Sequence, residues 1–390
     1  MDFGPDETHL ALQRMANEFA QKEIHPIVEE IDREKDPGKR FPEGLLEKSS
    51  RLGLRTLAAP EEEGGGGADP LTLCFVGEEL GWGDLGVGMT ITLDWCVSIA
   101  VERLGGEGEY SRFLGDFLKD DSAHLASVRI PAVPKPEERQ PYSGGGETAS
   151  VRVERAGDEW SISGTATHVI NGDAARFFLI SLDAPPNEKT ESRLFFVSAS
   201  GLSGLKTARF HDNMGMRSCQ DVDLLFEDCR ISAGDCFSRA GGPDEWKKSV
   251  QPLFWILPCA AALGTARRAH EAAVEYARQR IQGGKPIIEH QTVGFMLCEN
   301  LAEMNASRRL LQASAWAASR PEGSVPRDDA LARVFISECC ERAARRSMEI
   351  WGGAGYMTEA PMERYVRDMT SFMHADEMAH SLRARAMTML

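Results

Sequence analysis

The stretch Ala262-Leu263-Gly264-Thr265-Ala266-Arg267-Arg268-Ala269-His270-Glu271-Ala272-Ala273-Val274-Glu275-Tyr276-Ala277 sets Ala262, Ala266, Ala269, Ala273 and Ala277 three and four residues apart. That spacing lines small side chains along one helix face, a seam against which a second helix can lie close. Two further seams follow: Val293, Leu297, Leu301, Met304 and Leu311, then Leu331, Phe335, Cys339, Ala343, Ser347 and Ile350. Three long amphipathic stretches of this kind predict a bundle after Trp246.

Working toward the N-terminus, the period changes from helix to strand. Val151 alternates with Val153, Trp160 with Ile162, and Val222 with Leu224 and Phe226, while Phe177 to Leu182 and Leu194 to Val197 are short apolar runs. Turn residues separate them, as in a β domain. Pro134 to Gly146, rich in proline, charge and glycine, reads as an exposed loop inserted in it. From Glu7 to about Leu118 the spacing is helical again, with Pro42-Glu43 and Asp69-Pro70 as helix starts. The expected fold is therefore α+β and multidomain. It comprises an N-terminal helical domain over 1–122, a central β-barrel-like domain over 123–240 and a C-terminal four-helix bundle over 241–390.

Composition narrows the function. Of 390 residues, 42% are hydrophobic and 27% charged, enough apolar surface for a real core. A net charge of −16 argues against a nucleic-acid binder. No run approaches the roughly 18 apolar residues of a membrane span, and Met1 to Glu7 lacks a basic stretch leading into an apolar one. Neither membrane attachment nor a secretory signal is expected. Nine cysteines without CxxC spacing suit a reduced, cytoplasmic protein. Gly64 to Gly67 follows Glu61 to Glu63 without the Lys-Ser/Thr of a phosphate loop and reads as a turn. Glu377 and His380 form a single Glu-x-x-His pair, too few ligands for a di-iron centre. Cysteine spacing offers no zinc site, so no metal is expected.

Four motifs in order span nearly the whole chain. They are Ala59-Pro60-Glu61-Glu62-Glu63-Gly64-Gly65 with Glu78-Glu79-Leu80-Gly81; Gly215-Met216-Arg217-Ser218 leading into Asp223-Leu224-Leu225-Phe226-Glu227-Asp228-Cys229-Arg230-Ile231; Tyr276-Ala277-Arg278-Gln279-Arg280-Ile281-Gln282-Gly283-Gly284-Lys285-Pro286-Ile287 with Gln291; and Ile350-Trp351-Gly352-Gly353-Ala354-Gly355-Tyr356 with Glu363-Arg364-Tyr365-Val366-Arg367-Asp368. Together they resemble the acyl-CoA dehydrogenase superfamily. The resemblance implies FAD bound at a subunit interface and an acyl-CoA thioester losing hydrogens from Cα and Cβ. It also implies an electron-transferring flavoprotein or other acceptor, and a dimer of dimers, here a homotetramer. By resemblance, Arg280 reaches the flavin pyrophosphate of a neighbouring subunit, Gln291 lies near the adenine, and Gly352, Gly353 and Gly355 form a turn open to the diphosphate. A guanidinium fork and side-chain-free backbone suit phosphate oxygens. Without a flavin, Arg280 is a solvated helix charge and the glycines an interhelix turn.

This sequence departs from the family where the chemistry lies. The catalytic carboxylate is expected ten positions into the segment beginning Arg367-Asp368, which here is Asp376, or Glu377 if the register slips by one. Both acids also suit an ordinary acidic helix start. The base that some members carry on an earlier helix corresponds to Phe254. Asp94, alone in the apolar stretch Met89 to Ala100, is either a second acid near the acyl chain or a paired or capping residue. Threonines that bond the flavin ring are replaced by Arg129 and Ile170, and His168 stands where a ring stacks on the flavin. Three readings stay open. One is a dehydrogenase acting on an unusual acyl-CoA, cyclic or branched. The second is a catalytically inactive subunit of a hetero-oligomer, and the third a divergent flavin oxidase or elimination enzyme on the same scaffold.

Overall fold

A computed structural model describes residues 4–105, 108–130, 151–157, 159–182, 193–237, 245–320, 323–375 and 379–390. The Pro134 to Gly146 stretch lies outside the described residues. Six helices come first: α1 (Glu7–Phe19), α2 (Val28–Arg33), α3 (Glu43–Arg51), α4 (Pro70–Gly83), α5 (Leu85–Leu104) and α6 (Glu109–Lys119). Local chemistry sets their starts. The Asp69 carboxylate accepts the Thr72 N–H at 2.8 Å with Pro70 in the first turn of α4, and Asp84 accepts the Val87 N–H at 3.0 Å to open α5.

The strands are β1 (Leu125–Ile130), β2 (Arg152–Ala156), β3 (Glu159–Ile170), β4 (Phe177–Leu182), β5 (Arg193–Ser198), β6 (Leu205–Phe210) and β7 (Asp221–Ser232). They form two open sheets, ordered β1-β4-β5 and β2-β3-β7-β6, so the barrel-like expectation resolves into packed sheets without closure among the described residues. The first sheet is buried on both faces, which is why its strands read as apolar runs rather than alternations. Phe195 and Val197 pack against Ile162, Val222, Leu224 and Phe226 of the second sheet. Leu194 and Phe196 point the other way, onto Val97, Leu104, Phe113 and Phe117 of α5 and α6.

The C-terminal helices are α7 (Gln251–Gln279), α8 (Gln291–Ala318), α9 (Pro326–Trp351), α10 (Met362–His374) and α11 (Ala379–Met387). All five alanines of the first seam are buried. In the other two seams Leu301, Leu331 and Phe335 are 49%, 43% and 42% exposed, so those stripes run past this chain's own core. Helix α7 also packs on α4 at backbone distance. A Cβ at Gly264 would lie 1.9 Å from the Glu78 carbonyl oxygen, and one at Gly81 2.0 Å from that of Ala261. Beside this seam, buried Glu78 takes Arg308 at 2.9 Å and buried Glu79 takes Arg267 at 2.6 Å. The Glu78-Glu79-Leu80-Gly81 motif is thereby a scaffold feature. By length and composition, Leu85–Leu104 and Lys248–Gln279 are apolar enough to cross a membrane, but 89% of the most apolar 18-residue stretch of each is buried inside the protein.

Candidate active site

At one end of the bundle, α7 stops at Arg280 and the chain turns through a short hairpin, Ile281–Gln282 pairing with Lys285–Pro286. Gly283 and Gly284, at φ 60° and 81°, supply the left-handed pair that a two-residue hairpin turn needs. The Ile287 N–H returns to the Arg280 carbonyl at 2.8 Å, and Gln291 opens α8. Trp351, at the end of α9, stacks on Tyr276 with centroids 4.3 Å apart, which brings the Gly352 turn to the same end.

The glycines of that turn divide by cause. Gly352 has φ 58°, and a Cβ at Gly355 would lie 2.7 Å from the Met348 carbonyl oxygen and from Trp351 Cβ. Gly353 has neither constraint: a Cβ there would meet nothing within 4 Å, and it is exposed. Arg280 and Gln291 are exposed too, and no described residue pairs with the Arg280 guanidinium. An unpaired guanidinium at the same bundle end as bare, solvent-facing backbone is chemistry that fits a diphosphate arriving from outside this chain. That half of the site suits FAD.

The residues expected to face the flavin ring are placed differently. Between the pairs Ala166↔Leu224 and Val169↔Val222, Thr167 and His168 oppose Asp223 alone, a β-bulge that turns His168 to φ 57°. Its N–H reaches Asp223 Oδ1 at 3.2 Å, and its Nδ1 lies 3.1 Å from Asp221 Oδ2. The His168 ring stacks on His211, centroids 4.3 Å apart, and His211 Nε2 lies 2.8 Å from Asp223 Oδ1. Ile170 is half-buried and packs against the helical core, so an apolar contact stands where a hydroxyl was expected. Among the described residues no hydrogen bond or ring contact joins Arg280 or the glycine turn to His168 or Ile170. Arg129 lies on β1, but its side chain is outside the described residues.

Asp94 has a structural explanation. It is fully buried, its Oδ1 accepting the Leu125 N–H at 2.8 Å and its Oδ2 lying 3.1 Å from His124 Nδ1. Both oxygens are spent on tying α5 to the start of β1. Asp376 and Glu377 fall outside the described residues, immediately after α10.

One junction escaped the linear reading. The loop before β7 docks onto α10: a Cβ at Gly215 would lie 2.4 Å from the Arg367 backbone, and Asp368 accepts the Met216 N–H at 2.7 Å. Arg367 in turn holds Asp32 at 2.6 Å, and Ser218 donates to Asp84. Burial, and then the nearby Asp84, push the Asp368 carboxyl up to about 7 against the pull of Arg364. The second and fourth sequence motifs are the two sides of this contact, a pairing that only their co-occurrence in the sequence hints at.

These features define a class: three-part chains in which sheets sit between helical domains and one bundle end carries an exposed glycine turn. The chain belongs to the acyl-CoA dehydrogenase superfamily, matching the family's N-terminal domain over residues 6–121 and its C-terminal domain over residues 256–376. It is 25% identical over 364 residues to the mitochondrial short-chain specific acyl-CoA dehydrogenase of Sus scrofa, covering 93% of this chain and 85% of that protein. Its fold is similar to butyryl-CoA dehydrogenase from Megasphaera elsdenii, at TM-score 0.86 and 23% identity, over 100% of this chain and 99% of that one. It is also similar to a glutaryl-CoA dehydrogenase from Mycobacterium smegmatis solved in complex with FADH2, at TM-score 0.82 and 18% identity, over 99% and 96% of the two chains.

Proposed function

We propose that this chain is an FAD-dependent, acyl-CoA dehydrogenase-like oxidoreductase that removes hydrogens from Cα and Cβ of an uncommon acyl-CoA thioester, cyclic or branched. The observation that carries the reading is the bundle end that holds exposed Arg280 and exposed Gly353, a glycine that no neighbour among the described residues requires. When bound, FAD supplies the hydride acceptor. Arg280, Gln291 and the Gly352 to Gly355 turn hold its diphosphate and adenine for a neighbouring subunit, and His168 and Ile170 face its ring. The exposed Leu301, Leu331 and Phe335 support burial against further copies, in a dimer of dimers. An electron-transferring flavoprotein or another acceptor takes the electrons onward. The reading keeps the protein cytoplasmic, since nine cysteines with no disulfide between them suit a reducing compartment.

Asp376 is the proposed base. An ordinary aspartate, pKa about 3.9, is a weak base toward a thioester α-proton, and burial beside an apolar acyl chain would strengthen it. Asp376→Asn keeps the size and removes the base. Flavin content should survive while reduction of the flavin by substrate falls about a hundredfold or more. A loss of only a few-fold would shift the role to Glu377 or dismiss it. Arg280→Ala should release FAD without lowering the melting temperature of the flavin-free protein, and a monomer in sedimentation at micromolar concentration would count against the shared site.

The second reading, an inactive subunit of a hetero-oligomer, is favoured by the ring-facing end, where His168 already has partners of its own and Ile170 cannot donate a hydrogen bond. A visible spectrum separates the two. Flavin bands in the purified protein support the enzyme; a colourless protein that takes up no added FAD supports the subunit.

A further inference from the structure

The cluster at the β3 bulge has the composition of a metal site that no spacing in the sequence reveals. His168, His211 and Asp221 come from the bulged strand β3, the residue after β6 and the first residue of β7. Each offers one ligand atom, and these atoms lie within 4.8 Å of one another. A tetrahedral ion with bonds of about 2.0–2.2 Å holds its ligands roughly 3.4 Å apart. The His168–Asp221 pair, at 3.1 Å, is already close to that spacing. The two rings lie stacked at 20°, so binding one ion requires exposed His168 to turn out of that stack as the ligand atoms draw together.

Two further observations point to a cation rather than a simple ion pair. Asp221 Oδ1 is buried and has no hydrogen-bond partner, although Asn213 Nδ2 reaches the other oxygen at 3.2 Å. A buried carboxylate oxygen without a donor, on the same group whose other oxygen meets His168, leaves negative charge that a cation would compensate. In addition, Asp223 lies 2.8 Å from His211 Nε2, the carboxylate–histidine arrangement that fixes a ligating ring's tautomer and strengthens it as a donor.

We propose that His168, His211 and Asp221 bind a divalent first-row transition cation, with Zn²⁺ the best match to two imidazoles, one carboxylate and an open fourth position. Asp223 acts as a positioning residue through His211. The site shares His168 with the wall proposed to face the flavin ring, but its test needs neither FAD nor acyl-CoA.

The test is calorimetric titration of Zn²⁺ into the full chain after chelator treatment, with Co²⁺ absorption reporting ligand type. The expected result is one saturable equivalent with a nitrogen and oxygen spectrum and no thiolate charge-transfer band. Affinity should fall at least about tenfold in His168→Ala, His211→Ala and Asp221→Asn, and about 10–100-fold in Asp223→Asn. His168 is exposed, so its variant keeps the proposal testable if the more buried ones fail to fold; circular dichroism checks each. His380→Ala and Cys298→Ser should bind like the parent. Unchanged binding in His168→Ala, an equal loss in His380→Ala, or a thiolate band would overturn the site whatever the flavin content of the protein.

Discussion

Asp94 shows how a residue's chemistry is decided by what it touches. An acid in the apolar stretch Met89 to Ala100 has the look of a functional carboxylate, yet both oxygens are committed, to the Leu125 N–H and to His124. Asp94→Ala would leave two buried donors without partners, at about 1–3 kcal/mol each, and should lower the urea midpoint accordingly. Asp94→Asn keeps an acceptor for Leu125 and should cost less, with turnover retained. If instead Asp94→Asn abolished flavin reduction by substrate while leaving the midpoint alone, Asp94 would be the base. His168 makes the complementary point. Its candidacy was legible from the motif in which it stands, but its partners Asp221 and His211 lie more than forty positions on and meet it only through the sheet.

At the scale of elements, the alanine seam of α7 was readable because helical period and small side chains together demand a close neighbour. The neighbour's identity was not. Helix α4 supplies it, with Gly81 and Gly264 letting the two backbones touch. Gly264→Ala should cost about 3 kcal/mol or more, since its Cβ would strike a carbonyl oxygen fixed in a helix rather than a side chain able to rotate. Gly353→Ala is the contrasting case. With open space where the methyl would go, it should change stability by less than about 0.5 kcal/mol in thermal melts and yet weaken FAD retention. Equal effects at the two glycines would undo the distinction drawn between packing and binding. The stripes of α8 and α9 were legible as apolar but not as divided. Leu297 and Met304 face this chain while Leu301, Leu331 and Phe335 face out, a difference periodicity alone does not encode.

Across the whole molecule, the contact of the loop before β7 with α10 joins the sheets to the C-terminal helices, and Asp368 is its buried acid. Burial and Asp84 hold its pKa above the ordinary 3.8, so folding takes up a proton. The resulting stabilisation is complete below about pH 4 and is lost as the pH rises through about 7. Asp368→Asn keeps an acceptor for the Met216 N–H without that charge. The melting temperature of the parent should therefore fall relative to the variant between pH 5 and pH 8. A gap that stayed constant would mean that Asp368 does not titrate in this window.

Local sequence was enough for the order of helices, strands and helices, because helical and strand periods are written in neighbouring residues and the cap at Asp69 is local chemistry. It was enough, too, for the superfamily and for the exposed Arg280 and glycine turn, which sit in contiguous motifs. Tertiary structure alone decided that the strands form two open sheets, that Asp94 is spent on β1, that Asp368 and Asp84 share a buried junction, and that His168, His211 and Asp221 converge. The physical reason is the same throughout. Burial, pairing and charge depend on which distant segments a face meets, and that is a property of packing, not of any one stretch of chain.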